Sequence, residues 1–404
     1  MPHSRNPAWR APLVLAFIVF VVIAAAGCAP HGATIPAAHG RNASNIAGAL
    51  PGTSPTPIPA DWVPCAGDSA AVACHVQQNK NAGVSGAPQT GLTPAQLRSA
   101  YGLAPSASAP PATAPLVAIV DAFEDRSAET DLAAYRAQFG LPPCSSKSGC
   151  FTKIIMTGTI TAPGQIRKFL APGTVTTWSD EIALDLAMAS AACPACRILL
   201  VEAGANDLDS LASGVSLAAS YAPAAIAVSW GVPESGNLAG IDPGAQAAFY
   251  QPGIAIAVSA GDTGAVQFPA SSPYVTAVGG TTLTAAGGPR GWAESTWAAT
   301  GAGCSALFPL PAWQTPPAGC TGRAVPDVSL VADFATGVAV YSSVQGGWIV
   351  LGGTSVGAPF VAGLYAAAND FGAGSTGARG VYANLASLNA VTGGGVSPNG
   401  LSGF

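Results

Sequence analysis

The stretch that decides the fold is VLGGTSVGAPFVAG, residues 350–363. An apolar run with strand character passes through Gly352, Gly353 and Thr354 into an apolar run with helix character, so Ser355 stands at a strand-to-helix junction. Residues 353–357 also fit G-x-S-x-G, the pattern of a nucleophile elbow. A serine hydroxyl attacks a carbonyl group only when a neighbouring base takes its proton. The identity of that base separates the folds that can carry this junction.

All four histidines, His3, His31, His39 and His75, precede residue 76, so the region read as catalytic is expected to hold none. An α/β-hydrolase needs a histidine after its nucleophile in chain order, which excludes that fold and disfavours a serine–histidine–aspartate triad in the core. A serine–lysine dyad could draw only on Lys147, Lys153 and Lys168 beyond Pro115, and no S-x-x-K contains Ser355. Carboxyl groups remain. Glu181 and Asp185 in SDEIALDLAM, residues 179–188, lie one helical turn apart among apolar neighbours. Two carboxyls crowded in apolar surroundings cannot both ionise readily, so one retains a proton and the pair serves as a base in acidic solution.

Outward from these residues, apolar strand patterns alternate with helix patterns. LVAIVDAF (116–123), RILLVEA (197–203), AIAVSWG (225–231) and IAIAVSAG (254–261) read as buried strands. Residues 127–140, 179–192 and 208–221 read as helices, the second capped by Ser179. The pattern predicts an α/β fold with a mostly parallel central sheet flanked by helices in three layers. Functional groups in such sheets collect beyond the carboxyl ends of the strands, where Asp121, Trp230 and Asp262 stand. Residues 337–355 read as a hairpin that delivers Ser355 to the same edge.

These motifs resemble the sedolisins, serine-carboxyl peptidases with a subtilisin-like fold. GGTSVGAP is similar to their Ser-Gly-Thr-Ser-x-x-x-Pro motif, with Gly352 where serine is common; EIALD is similar to their E-x-x-x-D helix, and SAGDTG to their G-D-S-G segment, with Thr263 in place of serine. The order along the chain is also the family's. The resemblance implies Ser355 as nucleophile, Glu181 as general base, Asp185 as its proton-sharing partner and Asp262 as oxyanion donor. It further implies that Asp121 and Trp230 hydrogen-bond the acidic pair. The family's C-terminal calcium site is expected to be absent or weakened, because no acidic residue follows Asp370 and calcium favours six to eight oxygen ligands. No other cofactor or metal is expected.

Arg5 and Arg10 precede an uncharged run, residues 11–28, which marks residues 1–28 as a signal peptide or lipoprotein signal. Cys28 is the lipidation candidate; cleavage without lipidation and an uncleaved anchor are the alternatives. Residues 29–91 read as a low-complexity linker or short pro-region and residues 92–404 as the peptidase domain. Apart from Cys28, the cysteines fall into local pairs suited to disulfides in an exported chain: Cys65/Cys74, Cys144/Cys150, Cys193/Cys196 and Cys304/Cys320. Redox or metal roles are the alternatives for Cys193 and Cys196. With 9% charged residues and a net charge of −5, the chain has no basic surface for nucleic acid. The expected protein is an exported monomeric endopeptidase acting on proteins or peptides at acidic pH, with membrane contact only through its N-terminal segment. The alternative is a catalytically silent surface lipoprotein that binds peptides.

Overall fold

The computed structural model describes residues 72–87, 90–103, 111–156, 174–234, 241, 243–315, 319–391 and 393–394. Cys28, Cys65 and the N-terminal signal therefore lie outside the described residues. Among those described, no helix is long and apolar enough to cross a membrane.

Two short strands open the described chain, β1 (Ala73–Cys74) and β2 (Gln77–Gln78). The central sheet is built from β3 (Leu116–Ala122), β4 (Phe151–Ile155), β5 (Arg197–Ala203) and β6 (Ala225–Val228). A short β7 (Trp230–Pro233) follows, then β8 (Ala255–Ser259), another short strand β9 (Gln267–Phe268), and β10 (Thr276–Ala285). The spatial order β4-β5-β3-β6-β8-β10 is parallel throughout. Beyond β10 the sheet turns mixed: β11 (Trp292–Thr296) pairs with it antiparallel. After the two-stranded ribbon β12 (Gly303–Pro309) and β13 (Gly322–Val325), β14 (Val328–Val331) pairs with β10 in parallel.

The central strands are Val-, Ile- and Ala-rich because both faces are covered, which removes the alternation of a half-solvated sheet. Residues 117–120 of β3 and 225–228 of β6 are fully buried. The helices Thr174–Ala192 and Gly357–Ala368 pack on each other and on one face of the sheet, and Leu208–Ser220 packs against β3 and β5. The helix bearing Glu181 begins at Thr174, so Ser179 lies inside it and is not its cap.

The antiparallel hairpin β15 (Val338–Ser342) and β16 (Gly347–Gly352) carries the chain to Ser355. Asp180 pins its turn: Ser342 Oγ donates to Asp180 Oδ1 at 2.7 Å and Gln345 Nε2 to Oδ2 at 2.6 Å. Neighbouring residues on a helix project about 100° apart. Asp180 can therefore hold the hairpin turn while Glu181 faces the serine.

Residues 72–85, within the stretch read as a low-complexity linker or short pro-region, hold regular structure. β1 pairs antiparallel with β7, β2 pairs antiparallel with β16, and Val72, Cys74, His75 and Val76 are buried. The association runs through main-chain hydrogen bonds, which any side chains can support, so composition carried no trace of it. Disulfides join Cys144 to Cys150, Cys193 to Cys196 and Cys304 to Cys320. Cys74 is also in a disulfide.

Candidate active site

Ser355 sits in a single 3₁₀ turn, Thr354–Val356, between β16 and the helix Gly357–Ala368. Gly353 makes the turn with φ +101°, a conformation costly for a residue with a Cβ. The Ser355 hydroxyl is buried and donates to the main-chain carbonyl of Ser229 at 3.3 Å.

The structure brings Glu181, Asp185 and Asp121 together with Ser355, all fully buried. Both carboxyl oxygens of Glu181 and both of Asp121 close no hydrogen bond in this geometry. Burial, followed by the charges of Asp185 and Asp121, pushes the Glu181 carboxyl well above its ordinary range, while the Ser355 hydroxyl is close enough to favour its ionised form. Asp185 is raised by burial and then by Asp121, and is opposed by the Ser229 hydroxyl, which donates to Asp185 Oδ1 at 2.8 Å. Burial and then Glu202 raise Asp121 as well. Full ionisation of three carboxyls in one apolar site would cost several kcal/mol per uncompensated charge, so the cluster retains protons.

Asp262 closes the site from the loop after β8. Its Oδ1 accepts from the Thr354 N–H at 2.9 Å and the Thr354 hydroxyl at 2.8 Å, and the same hydroxyl accepts from the Gly261 N–H at 3.0 Å. These bonds lock the Asp262 loop to the serine turn. Burial pushes the Asp262 carboxyl up to about 7, despite the opposing bonds from Thr354 and Gln77. Below that pH it carries a proton and can donate from Oδ2, as an oxyanion stabiliser must.

Trp230 does not hydrogen-bond the acidic pair: its Nε1 donates to the Val120 carbonyl at 2.7 Å, fastening β7 to β3. Ser229, which sequence reasoning passed over, makes the contact with Asp185. A serine at a strand end has no sequence signature, and only its position beside Trp230 in SWG could have drawn attention to it.

The expectation of a histidine-free region also needs correction, because His75 is buried beside Ser355. Its ring is engaged elsewhere: Nδ1 lies 2.6 Å from Ser259 Oγ and Nε2 lies 2.8 Å from Gln267 Oε1. With both nitrogens occupied, the imidazole is not placed as a base for Ser355. Glu181 keeps that position.

Among the described residues no group of three or more His, Cys, Asp and Glu side chains is disposed to hold a metal ion. Asp327 is structural: it accepts from the Ala277 N–H at 2.8 Å and pairs with Arg323. A cavity of about 780 Å³ lined by Tyr101, Asp327, Tyr365 and Asp370 contains none of Ser355, Glu181, Asp185 and Asp262.

A parallel α/β sheet with a serine at a helix start, faced by carboxyls where a histidine base would be sought, defines a subtilisin-like fold with a serine–carboxyl site. No family model matches the chain. It is 36% identical over 220 residues to kumamolisin of Bacillus sp. (strain MN-32), covering 47% of this chain and 39% of kumamolisin. It is 42% identical over 118 residues to sedolisin of Pseudomonas sp. (strain 101), covering 26% of this chain and 20% of that protein. The matched regions thus span less than half the length of either relative. Among solved structures, Pseudomonas sedolisin, a serine-carboxyl proteinase complexed with two molecules of pseudo-iodotyrostatin, aligns with a TM-score of 0.63 at 25% identity, covering 78% of this chain and 91% of that one. In sequence and in fold the chain is thus similar to the sedolisins, among them a serine-carboxyl proteinase.

Proposed function

We propose that this protein is an exported endopeptidase that hydrolyses peptide bonds at acidic pH through an acyl-enzyme on Ser355. The observation that carries the reading is the buried, hydrogen-bond-free carboxyl of Glu181 beside Ser355, with the nearby imidazole of His75 committed to other partners.

In this mechanism Ser355 Oγ turns from the Ser229 carbonyl and gives its proton to Glu181 as it attacks the substrate carbonyl carbon. Asp185 shares a proton with Glu181 and is held in place by Ser229. The developing negative oxygen takes hydrogen bonds from the Ser355 N–H and from protonated Asp262. Glu181 then protonates the leaving amine, and water, activated by the same carboxyl, releases the acyl group. Glu181 must be ionised and Asp262 protonated at the same pH, so the working range lies on the acidic side of about 7, where Asp262 begins to ionise.

Disulfides on the described chain support a location outside the cytoplasm. Anchoring through Cys28, a monomeric state, protein or peptide substrates and the lack of a C-terminal calcium site complete the proposal; the last is supported by the absence of acidic residues after Asp370. The test is hydrolysis of a denatured protein at acidic pH by the wild type, Ser355→Ala and Glu181→Gln. Loss of at least a hundredfold in both variants is expected. Full activity in Glu181→Gln would overturn the mechanism, and peptide binding without turnover by the wild type would favour a non-catalytic binding protein.

A further inference from the structure

Behind Ser355 the sheet carries a row of buried carboxyls that ends on a cation. Asp121 of β3 and Glu202 of β5 are register partners in parallel strands, and Ile155 of β4 partners Glu202 on its other side. Val120 and Val201, one residue earlier, face Gly214 of the helix Leu208–Ser220. Side chains alternate along a strand, so Asp121 and Glu202 face the opposite side, toward the helix Thr174–Ala192, and Lys153 shares that face with Ile155. The row runs from Lys153 through Glu202 and Asp121 to Asp185 and Glu181, and all four carboxyls are fully buried.

The outer end is built to hold the cation. Phe123 takes φ +66°, a left-handed conformation uncommon for a residue with a Cβ, and its N–H donates to the Ala203 carbonyl at 2.8 Å. This turn lays the main chain of Asp125 between the two partners: its N–H donates to Glu202 Oε1 at 2.9 Å, and its carbonyl accepts from Lys153 Nζ at 2.7 Å. Lys153 Nζ lies 3.4 Å from Glu202 Oε2, with its side chain 23% exposed. Among the described residues no other lysine or arginine pairs with a carboxyl of the row. Asp125 faces Asp131 and Asp180 on its far side, and Glu181 faces Asp262 and, across Ser355, His75.

Burial, opposed by the Asp125 N–H and by Lys153, raises the Glu202 carboxyl to about 7; burial and then the charge of Glu202 raise Asp121 to about 8. Below about 7 Glu202 carries a proton, and the ammonium beside it is left without an anion. A positive charge at the end of a dry row favours ionisation within it, and the Ser355 hydroxyl favours that ionisation at Glu181. We propose that Lys153 is a positioning residue of the reaction: its ammonium is the countercharge that lets Glu181 give up its proton in acid and serve as the base for Ser355. The inference rests on the peptidase reading above. Lys153 touches no reacting atom and acts across Glu202 and Asp121.

The test is the pH profile of kcat/KM for the full chain and its variants, from initial rates on denatured serum albumin well below KM. Across roughly two strand spacings, about 10 Å, and at an effective dielectric constant of about 20, a unit charge shifts a carboxyl by about one pH unit. Removing a positive charge raises the carboxyl, so Lys153→Met is expected to move the acidic limb up by about one unit, about a tenfold loss at a fixed pH on that limb. The alkaline limb is expected to stay, because the contacts that set Asp262 do not include Lys153. Lys153→Arg is expected to restore the acidic limb. Glu202→Gln, which copies the protonated carboxyl, is expected to leave that limb in place. A role confined to holding the strands together would lower the whole profile, and alike in Lys153→Met and Glu202→Gln. Lys153→Gln, neutral and still a donor for the Asp125 carbonyl, replaces Lys153→Met should that variant not fold. An acidic limb that is unmoved in the neutral variant, not restored by Lys153→Arg, or moved equally by Glu202→Gln overturns this inference and leaves the peptidase reading standing. Absence of hydrolysis by the wild type at every pH overturns both.

Discussion

Replacing Asp262 with asparagine should remove a large part of the fall in stability between acidic and neutral pH. In the folded chain this carboxyl is 3% exposed and is raised by burial from 3.8 to about 7. Between those values the unfolded chain releases the proton while the folded chain keeps it. The stabilising contribution is therefore fully present below 3.8, shrinks as pH rises, and is lost by about 7. Roughly three pH units at 1.36 kcal/mol each give about 4 kcal/mol. The assay is denaturant unfolding at pH 3.5 and pH 7.5 of Ser355→Ala and of Ser355→Ala/Asp262→Asn. The first protein should lose about 4 kcal/mol more than the second across that interval. Asparagine keeps an oxygen for the Thr354 donors, so the double difference isolates the proton. Equal losses in the two proteins would refute the raised carboxyl and, with it, the protonated donor assigned to Asp262.

Further outcomes follow from the same contacts. Ser229→Ala removes the hydrogen bond that favours ionised Asp185, so the acidic limb of the kcat/KM profile should move to higher pH; an unmoved limb would contradict the contact's role. Gly353→Ala should cost about 1–3 kcal/mol in thermal or denaturant unfolding and at least tenfold in activity, because φ is +101° and the new methyl strikes the oxyanion pocket. Removing the Cys304–Cys320 bridge, with a sequence separation of 16, should cost about 3 kcal/mol if chain entropy dominates, read as a shift in unfolding midpoint. Acidification should loosen residues 72–78 in Ser355→Ala. The seated imidazole titrates near 4 against 6.5 when free, so its seat is fully held above 6.5 and weakens down to about 4. Hydrogen exchange corrected for intrinsic rate should then be faster in this segment at pH 4.5 than at 7.5, and His75→Gln should flatten the difference.

The site was legible where side-chain type and spacing carry the chemistry. Glu181 and Asp185 announce themselves as charges in an apolar helix, Ser355 by its strand-to-helix junction, and Asp262 by ending a buried strand. The sheet was legible because strands covered on both faces are apolar without alternation. What escaped depends on main-chain geometry or on the direction of a single side chain. The strand pairings of residues 73–78 leave no periodic pattern in ACHVQQ, and the surrounding Gly, Pro, Ser and Ala suggested a linker. The direction of the Trp230 indole toward Val120, and the choice of Ser229 as Asp185's partner, follow from rotamers at the end of β6 that the letters SWG do not encode.

The central claim is that Ser355 becomes acylated. Rapid acid quenching of the enzyme during turnover of a peptide substrate, followed by proteolysis and mass measurement, tests it directly. An acyl adduct on the peptide containing Ser355 is expected in the wild type and not in Ser355→Ala. Sustained hydrolysis with Ser355 unmodified at every quench time, and undiminished in Ser355→Ala, would contradict it.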